Sequence, residues 1–213
     1  MPRKISLIAI PLILISTVFL GAQQDEPEKG PFTPQLATNR RSLGDQTFSI
    51  SLGPIIPLKT ILLGDYYGHS SGPTDNKLTW AGGTGGLAYS FYLSPDIKLG
   101  LQVGGSFTSD INEDMLFMIP IAVKGTYEFH IKNRITVPIH LGLGIAMTSW
   151  KEDNFHVDPL IRPGVGFYFD WNYEWSFGTD VSYHFIPQLD SDPEHHNAIG
   201  NFLDVMITAE YHF

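Results

Sequence analysis

Asn201-Phe202-Leu203-Asp204-Val205-Met206-Ile207-Thr208-Ala209-Glu210-Tyr211-His212-Phe213 is the stretch from which the fold can be read. Leu203, Val205, Ile207, Ala209, Tyr211 and Phe213 share one parity, while Asp204, Thr208, Glu210 and His212 share the other. A period of two places these sets on opposite faces of an extended strand, whereas a helix of 3.6 residues per turn would mix them. One face of this strand is therefore apolar and the other mostly polar.

The alternation recurs upstream. Phe48, Ile50 and Leu52 alternate with Ser49, Ser51 and Gly53, and Leu87, Tyr89, Phe91 and Leu93 with Gly86, Ala88, Ser90 and Tyr92. Further apolar stripes run from Ile97 to Phe107, Met115 to Phe129, Ile135 to Met147, Val157 to Phe169 and Trp175 to Phe185. Together they make about eight strands. The links between them alternate in length. Ser94-Pro95-Asp96, Ile131 to Arg134 and Trp171-Asn172 are short, whereas Leu58 to Leu78, Ser109 to Asp114, Lys151 to Asn154 and Gln188 to Gly200 are longer or more polar.

Only 16% of the 213 residues are charged, against about 25% in soluble domains. Mean hydropathy is nevertheless −0.01, too low for a helical membrane protein. Abundant glycine (21 residues) and 13% aromatic residues suit strands with one face in lipid and the other in a polar interior. A soluble β-sandwich would need polar outward faces, which the apolar stripes do not supply. The absence of cysteine excludes disulfides, thiolate metal sites, a cysteine nucleophile and a lipoprotein anchor.

Residues 1–22 have the form of a secretory signal peptide: Arg3 and Lys4, an apolar run from Ile5 to Leu20, then Gly21-Ala22 as the cleavage site. Its removal takes away two positive charges and no negative ones, so the formal charge moves from −9 to −11. Such acidity argues against a nucleic-acid partner. Residues 23–44 contain Pro27, Pro31 and Pro34 without apolar periodicity and are expected to form a flexible periplasmic segment. Residues 45–213 are expected to be the barrel.

The closing strand, ending on Phe213, resembles the last strand of bacterial outer-membrane β-barrels, whose final aromatic residue is read by the barrel-assembly machinery. The resemblance implies an all-β, closed antiparallel transmembrane β-barrel in the cell outer membrane, among its lipids. The short links would then be periplasmic turns, the long ones extracellular loops, and both termini periplasmic. Tyr127, Phe129, Phe167, Phe169, Trp171, Tyr173, Trp175, Tyr211 and Phe213 would form one interfacial girdle, and Phe107, Phe117, Phe155 and Phe185 the other. Pro54 and Pro57 lack ladder donors, so the first strand is expected to bend, bulge or end early.

Function must then come from the inward parity. It carries Lys98, Gln102, Lys124, Glu128, His140, Arg162, Asp180 and Glu210, with His184, Asp204 and Thr208, and an apolar set of Leu116, Met118, Trp150, Leu160, Ile186 and Phe202. Counted from the loops, the apolar set lies toward the exterior, and most charged residues lie deeper, Asp204 and His184 being exceptions. A turn centred on Trp171 would bring Arg162 to Asp180. Eight strands enclose an interior that side chains can fill, or one able to hold a small ligand. Two readings stay open: a buried ion-pair plug, or a gated polar path below an apolar cup.

A short barrel with an apolar outer pocket resembles the outer-membrane protein W family over about Asp45 to Phe213, and less closely the outer-membrane protein A and X barrels. The first resemblance implies passive uptake or binding of small hydrophobic solutes. The alternative is a closed structural or adhesin-like barrel working through its loops. Asp190, Asp192, Glu194, His195 and His196 offer ligands for a divalent cation, although a solvated surface loop accounts for them better and no metal is expected. Gly82-Gly83-Thr84-Gly85-Gly86 lacks the Lys-Ser/Thr pair of a phosphate cradle and fits a crowded wall better. His69, Ser70, His156, Asp158 and His184 have no spacing that predicts a catalytic meeting. Neither enzymatic activity nor a cofactor is expected.

Overall fold

The computed structural model describes residues 41–58, 60–63, 72–74, 82–109, 115–132, 134–150, 156–188 and 197–213. The regular elements among them are all strands: β1 (Gln46–Pro57), β2 (Thr60–Leu63), β3 (Gly72–Thr74), β4 (Gly82–Ser94), β5 (Ile97–Ser109), β6 (Met115–Lys132), β7 (Ile135–Trp150), β8 (His156–Asp170), β9 (Trp175–Gln188) and β10 (Asn197–His212). From β4 to β10 each strand pairs with the next, and β1 pairs with both β4 and β10. Eight antiparallel strands therefore close into a barrel without an edge. The hairpin of β2 and β3 is attached to the far end of β10, at Asn197 to Ile199.

Alternation produces the wall. Ile207 is 73% exposed, and its neighbour Thr208 is 2% exposed. The apolar stripes named above form an outward belt around the barrel, with Phe107, Phe117, Tyr127, Phe129, Trp171 and Trp175 exposed toward its two rims. A soluble protein rarely leaves so much continuous apolar surface uncovered, whereas a membrane-spanning barrel requires it. Near the turns, Trp175 stacks on Phe177, and Tyr211 stacks on Phe213.

The short links all lie at one end, here the turn end. Bulges beside two of them, between Tyr92 and Ser94 and between His130 and Lys132, shift the register locally. The third turn occupies residues 171–174, where Asn172 Oδ1 accepts from the backbone of Glu174 (2.9 Å) and Trp175 (2.7 Å). At the opposite, loop end the connections run through residues 58–81, 110–114, 151–155 and 189–196.

Pro54 does not shorten β1. Pairing with β10 passes it in unchanged register, with Leu52 opposite Ile207 before it and Ile55 opposite Asp204 after it. Gly53 permits this: a Cβ there would collide with the Val205 carbonyl, so a larger residue would force the strands apart. Pro120, Pro138 and Pro163 likewise interrupt pairing on one side only, and the register resumes beyond each. A proline removes one donor; the rest of a closed ladder holds the strand in place.

Candidate functional site: the filled lumen

The inward residues form four tiers. At the turn end, Lys98 of β5 is buried between two carboxylates, with Nζ 2.7 Å from Glu128 Oε1 of β6 and 2.8 Å from Glu210 Oε1 of β10. Tyr92 of β4 donates its hydroxyl to Glu128 Oε2 (3.0 Å), and its ring centroid lies 5.5 Å from the ammonium. Beside this cluster, Ser176 Oγ donates to Asp170 Oδ1 (2.6 Å) and so accepts from His212 Nε2 (2.7 Å).

The second tier joins β7 to β9. Ser182 Oγ donates to Asp180 Oδ1 (2.8 Å) and accepts from His140 Nε2 (3.2 Å). Gly164 makes room for the pair, since a Cβ there would overlap both His140 Nε2 and Ser182 Oγ. Between the first two tiers lies a polar cavity bordered by Arg41, Lys98, Lys124, His140, Asp180 and Glu210. About 20 Å³ of it is open to the centre of a water molecule, space for one or two waters. Lys124 faces this cavity and makes no ion pair among the described residues.

The third tier is the most enclosed. Asp204 Oδ2 accepts from Arg162 Nη2 (2.6 Å) and from His184 Nε2 (2.7 Å), while Asp204 Oδ1 accepts from the Ser182 backbone (3.0 Å). This corrects the pairing of Arg162 with Asp180. The turn is centred on Tyr173 rather than Trp171, because Asn172 holds a four-residue turn closed. Ile161 consequently faces Phe185, and Arg162 reaches across β9 to Asp204. Gln102 is also buried in the lumen, its Oε1 without a partner among the described residues.

Above lies the apolar tier. Met118, Leu160, Ile186 and Phe202 pack with Ile55, Ala122 and Ala146, with Leu116 against them. Among the described residues this is a filled layer, not the open cup expected from the sequence. Across so narrow a barrel, inward side chains from facing strands meet, and among the described residues they leave no bowl. A crevice of about 10 Å³ lies beside Phe107, Leu116 and Phe202. Trp150 stands opposite Leu116 at the end of β7; its side chain lies outside the described residues.

Ile55 and the Asp204–His184 contact were not legible beforehand. Ile55 follows the proline at which β1 was expected to falter, although its parity with Ser51 and Ser49 was a usable signal. Residues 1–40, His69, Ser70 and Asp190 to His196 lie outside the described residues. Of the other residues weighed for catalysis, Asp158 accepts from Thr148 Oγ1 (3.3 Å) and His184 is bound to Asp204. Among the described residues no group of three His, Cys, Asp or Glu side chains is arranged to hold a metal ion.

A protein-family model matches residues 24–211. An uncharacterized protein of Treponema pallidum (strain Nichols) is 27% identical over 139 residues, 65% of this chain and 62% of that protein. Another, from Borreliella burgdorferi (strain ATCC 35210 / DSM 4680 / CIP 102532 / B31), is 23% identical over 124 residues, 49% of this chain and 58% of that protein. The chain thus spans about three fifths of the length of the curated relatives it matches. Among solved structures, Neisserial surface protein A is similar at 10% identity and a TM-score of 0.55, over 80% of this chain and 97% of that one. The outer membrane protein AlkL, solved in lipid bilayers, is similar at 15% identity and a TM-score of 0.51, over 90% and 97%. Likeness at such low identity establishes a shared fold, that of small outer-membrane barrels.

Proposed function

We propose that this chain, which belongs to the family matched over residues 24–211, is an outer-membrane barrel whose lumen is closed to aqueous flow and which works through its loop end. In this reading residues 1–22 are a signal peptide, the turn end and both termini face the periplasm, and Phe213 is presented to the barrel-assembly machinery. The apolar belt, the two aromatic rims and the short turns support that orientation. The observation that carries the closed lumen is the third tier: Arg162, Asp204 and His184, each under 5% exposed, sit directly beneath a packed apolar layer. Ions would have to break a fully buried pair and then cross that layer.

The test is single-channel recording of the refolded protein in planar bilayers, its folded state verified by the heat-dependent gel shift of intact barrels. A silent bilayer is expected. Discrete openings would overturn the closed lumen.

A second reading, uptake of a small hydrophobic solute as the resemblance to the outer-membrane protein W family implies, has one observation in its favour. The apolar tier is reached from the wall by the crevice beside Phe107, Leu116 and Phe202. Liposomes carrying the barrel should then take up a small aromatic hydrocarbon faster than empty liposomes. Equal rates would remove this reading.

A further inference from the structure

We propose that residues 41–45 form a latch across the turn end of the lumen, with Arg41 as its bolt, and that release of Arg41 opens the polar cavity to water and small solutes from that side. The closed-lumen reading concerns the apolar tier at the other end, so the two stand or fall on different measurements.

The latch begins with a reversal of the chain before β1. Gly44 has φ of +95°, a left-handed conformation that favours glycine. The turn it permits is closed twice, by Asp45 N on Ser42 O (3.2 Å) and by Ser42 N on Asp45 Oδ2 (2.7 Å). Two further backbone bonds fasten it to β4: Gly44 N donates to Tyr92 O (2.9 Å), and Tyr92 N donates to Asp45 O (2.8 Å).

This reversal carries Arg41 under the barrel. An arginine just outside a membrane barrel would ordinarily be solvated, yet Arg41 is only 5% exposed and borders the polar cavity together with Tyr92, Lys98 and His212. Its Nη1 donates to Tyr173 O in the 171–174 turn (2.7 Å), and its guanidinium lies 5.1 Å from the Tyr173 ring centroid. The side chain therefore ties the chain before β1 to the turn between β8 and β9, at the border of the polar cavity.

The bolt is held lightly. Unlike Arg162, which pairs with a buried carboxylate, Arg41 has a neutral carbonyl and an aromatic ring as its only partners among the described residues. A charge-assisted hydrogen bond and a ring contact together hold less strongly than a buried ion pair whose loss strands a charge.

Because the chain contains no cysteine, one introduced thiol reports access to the cavity. Ser90 is buried and borders it; Ser106 is buried at the level of the apolar tier, opposite Met118 and bonded to Thr84. The refolded full chain carrying Ser90→Cys should react slowly with a charged methanethiosulfonate reagent. Adding Arg41→Ala should accelerate the reaction about tenfold or more, as a local opening becomes more populated, with Arg41→Lys intermediate. Ser106→Cys should react at the same rate in either background. Equal Ser90→Cys rates with Arg41 and with Arg41→Ala would overturn the latch, as would a parallel rise at Ser106→Cys, which would mean general loosening. Should Ser90→Cys not give the folded gel band, Thr136→Cys, also buried on the cavity, reads the same access.

Discussion

Arg162 of β8 and Asp204 of β10 meet across the inner face of β9, Nη2 to Oδ2 at 2.6 Å, with Asp204 fully buried. One carboxylate thereby joins three strands, because it also takes His184 Nε2 and the Ser182 backbone N–H, both of β9. Arg162→Ala leaves Asp204 charged and short of its strongest donor, and should lower stability by about 3–5 kcal/mol. Adding Asp204→Asn removes the stranded charge and should recover part of that loss. Urea unfolding in lipid vesicles, followed by tryptophan fluorescence, measures both. If Arg162→Ala were as stable as the parent, the pair would not secure the third tier.

The first tier has the opposite stoichiometry, one cation to two carboxylates. Lys98→Met should leave Glu128 and Glu210 facing each other without their shared ammonium, and the protein should refold in lower yield and unfold at lower urea. The double variant Lys98→Met/Glu210→Gln deletes one carboxylate with the cation and should lie between the single variant and the parent. A double variant worse than Lys98→Met alone would show that the Glu210 carboxylate is held by a group other than Lys98, such as His212, whose Nε2 lies 3.6 Å from Oε1.

What the sequence revealed and what it hid follow from the same geometry. The outward set was readable because lipid contact depends only on parity, and parity is local to each strand: Ile207 and Thr208 differ in exposure wherever their partners lie. Which inward charges meet is a property of register, and register is set by turns. Placing the centre of the β8–β9 turn at Trp171 instead of Tyr173 moved the expected partner of Arg162 along β9 by four residues. The contact actually made lies one strand further, with Asp204, and no count within a hairpin finds it. The packing of the apolar tier was hidden for a related reason. Leu160 and Ile186 are both buried, but whether inward residues line a bowl or close on one another depends on distances across the barrel.

The apolar tier should behave as a packed core. Leu160 is 1% exposed and touches residues from several strands, so Leu160→Ala removes methyl groups from a site that the ladder prevents from collapsing. A loss of about 2–5 kcal/mol is expected. Leu160→Met, which keeps the volume, should cost under about 1.5 kcal/mol. Equal stability of the parent and Leu160→Ala would mean that the tier has room to spare and that a bowl exists after all.

Two glycines in the wall separate backbone closeness from side-chain closeness. At Gly144 of β7 an added Cβ would run into the Ile121 carbonyl and, at 2.6 Å, the Ala122 Cα, both backbone of the neighbouring strand. At Gly83 of β4 it would meet the tip of the Phe107 ring at 2.6 Å, and that ring is half exposed on the belt and can swing into lipid. Gly144→Ala should therefore cost about 1–3 kcal/mol or prevent folding, since the ladder itself must shift, while Gly83→Ala should fold with nearly the parent's stability. Refolding yield on a heat-shift gel, followed by urea unfolding of whichever variants fold, makes the comparison. If Gly83→Ala were the more damaging, Phe107 would be fixed in place over β4, and that part of the wall would be rigid where the structure leaves it free to move.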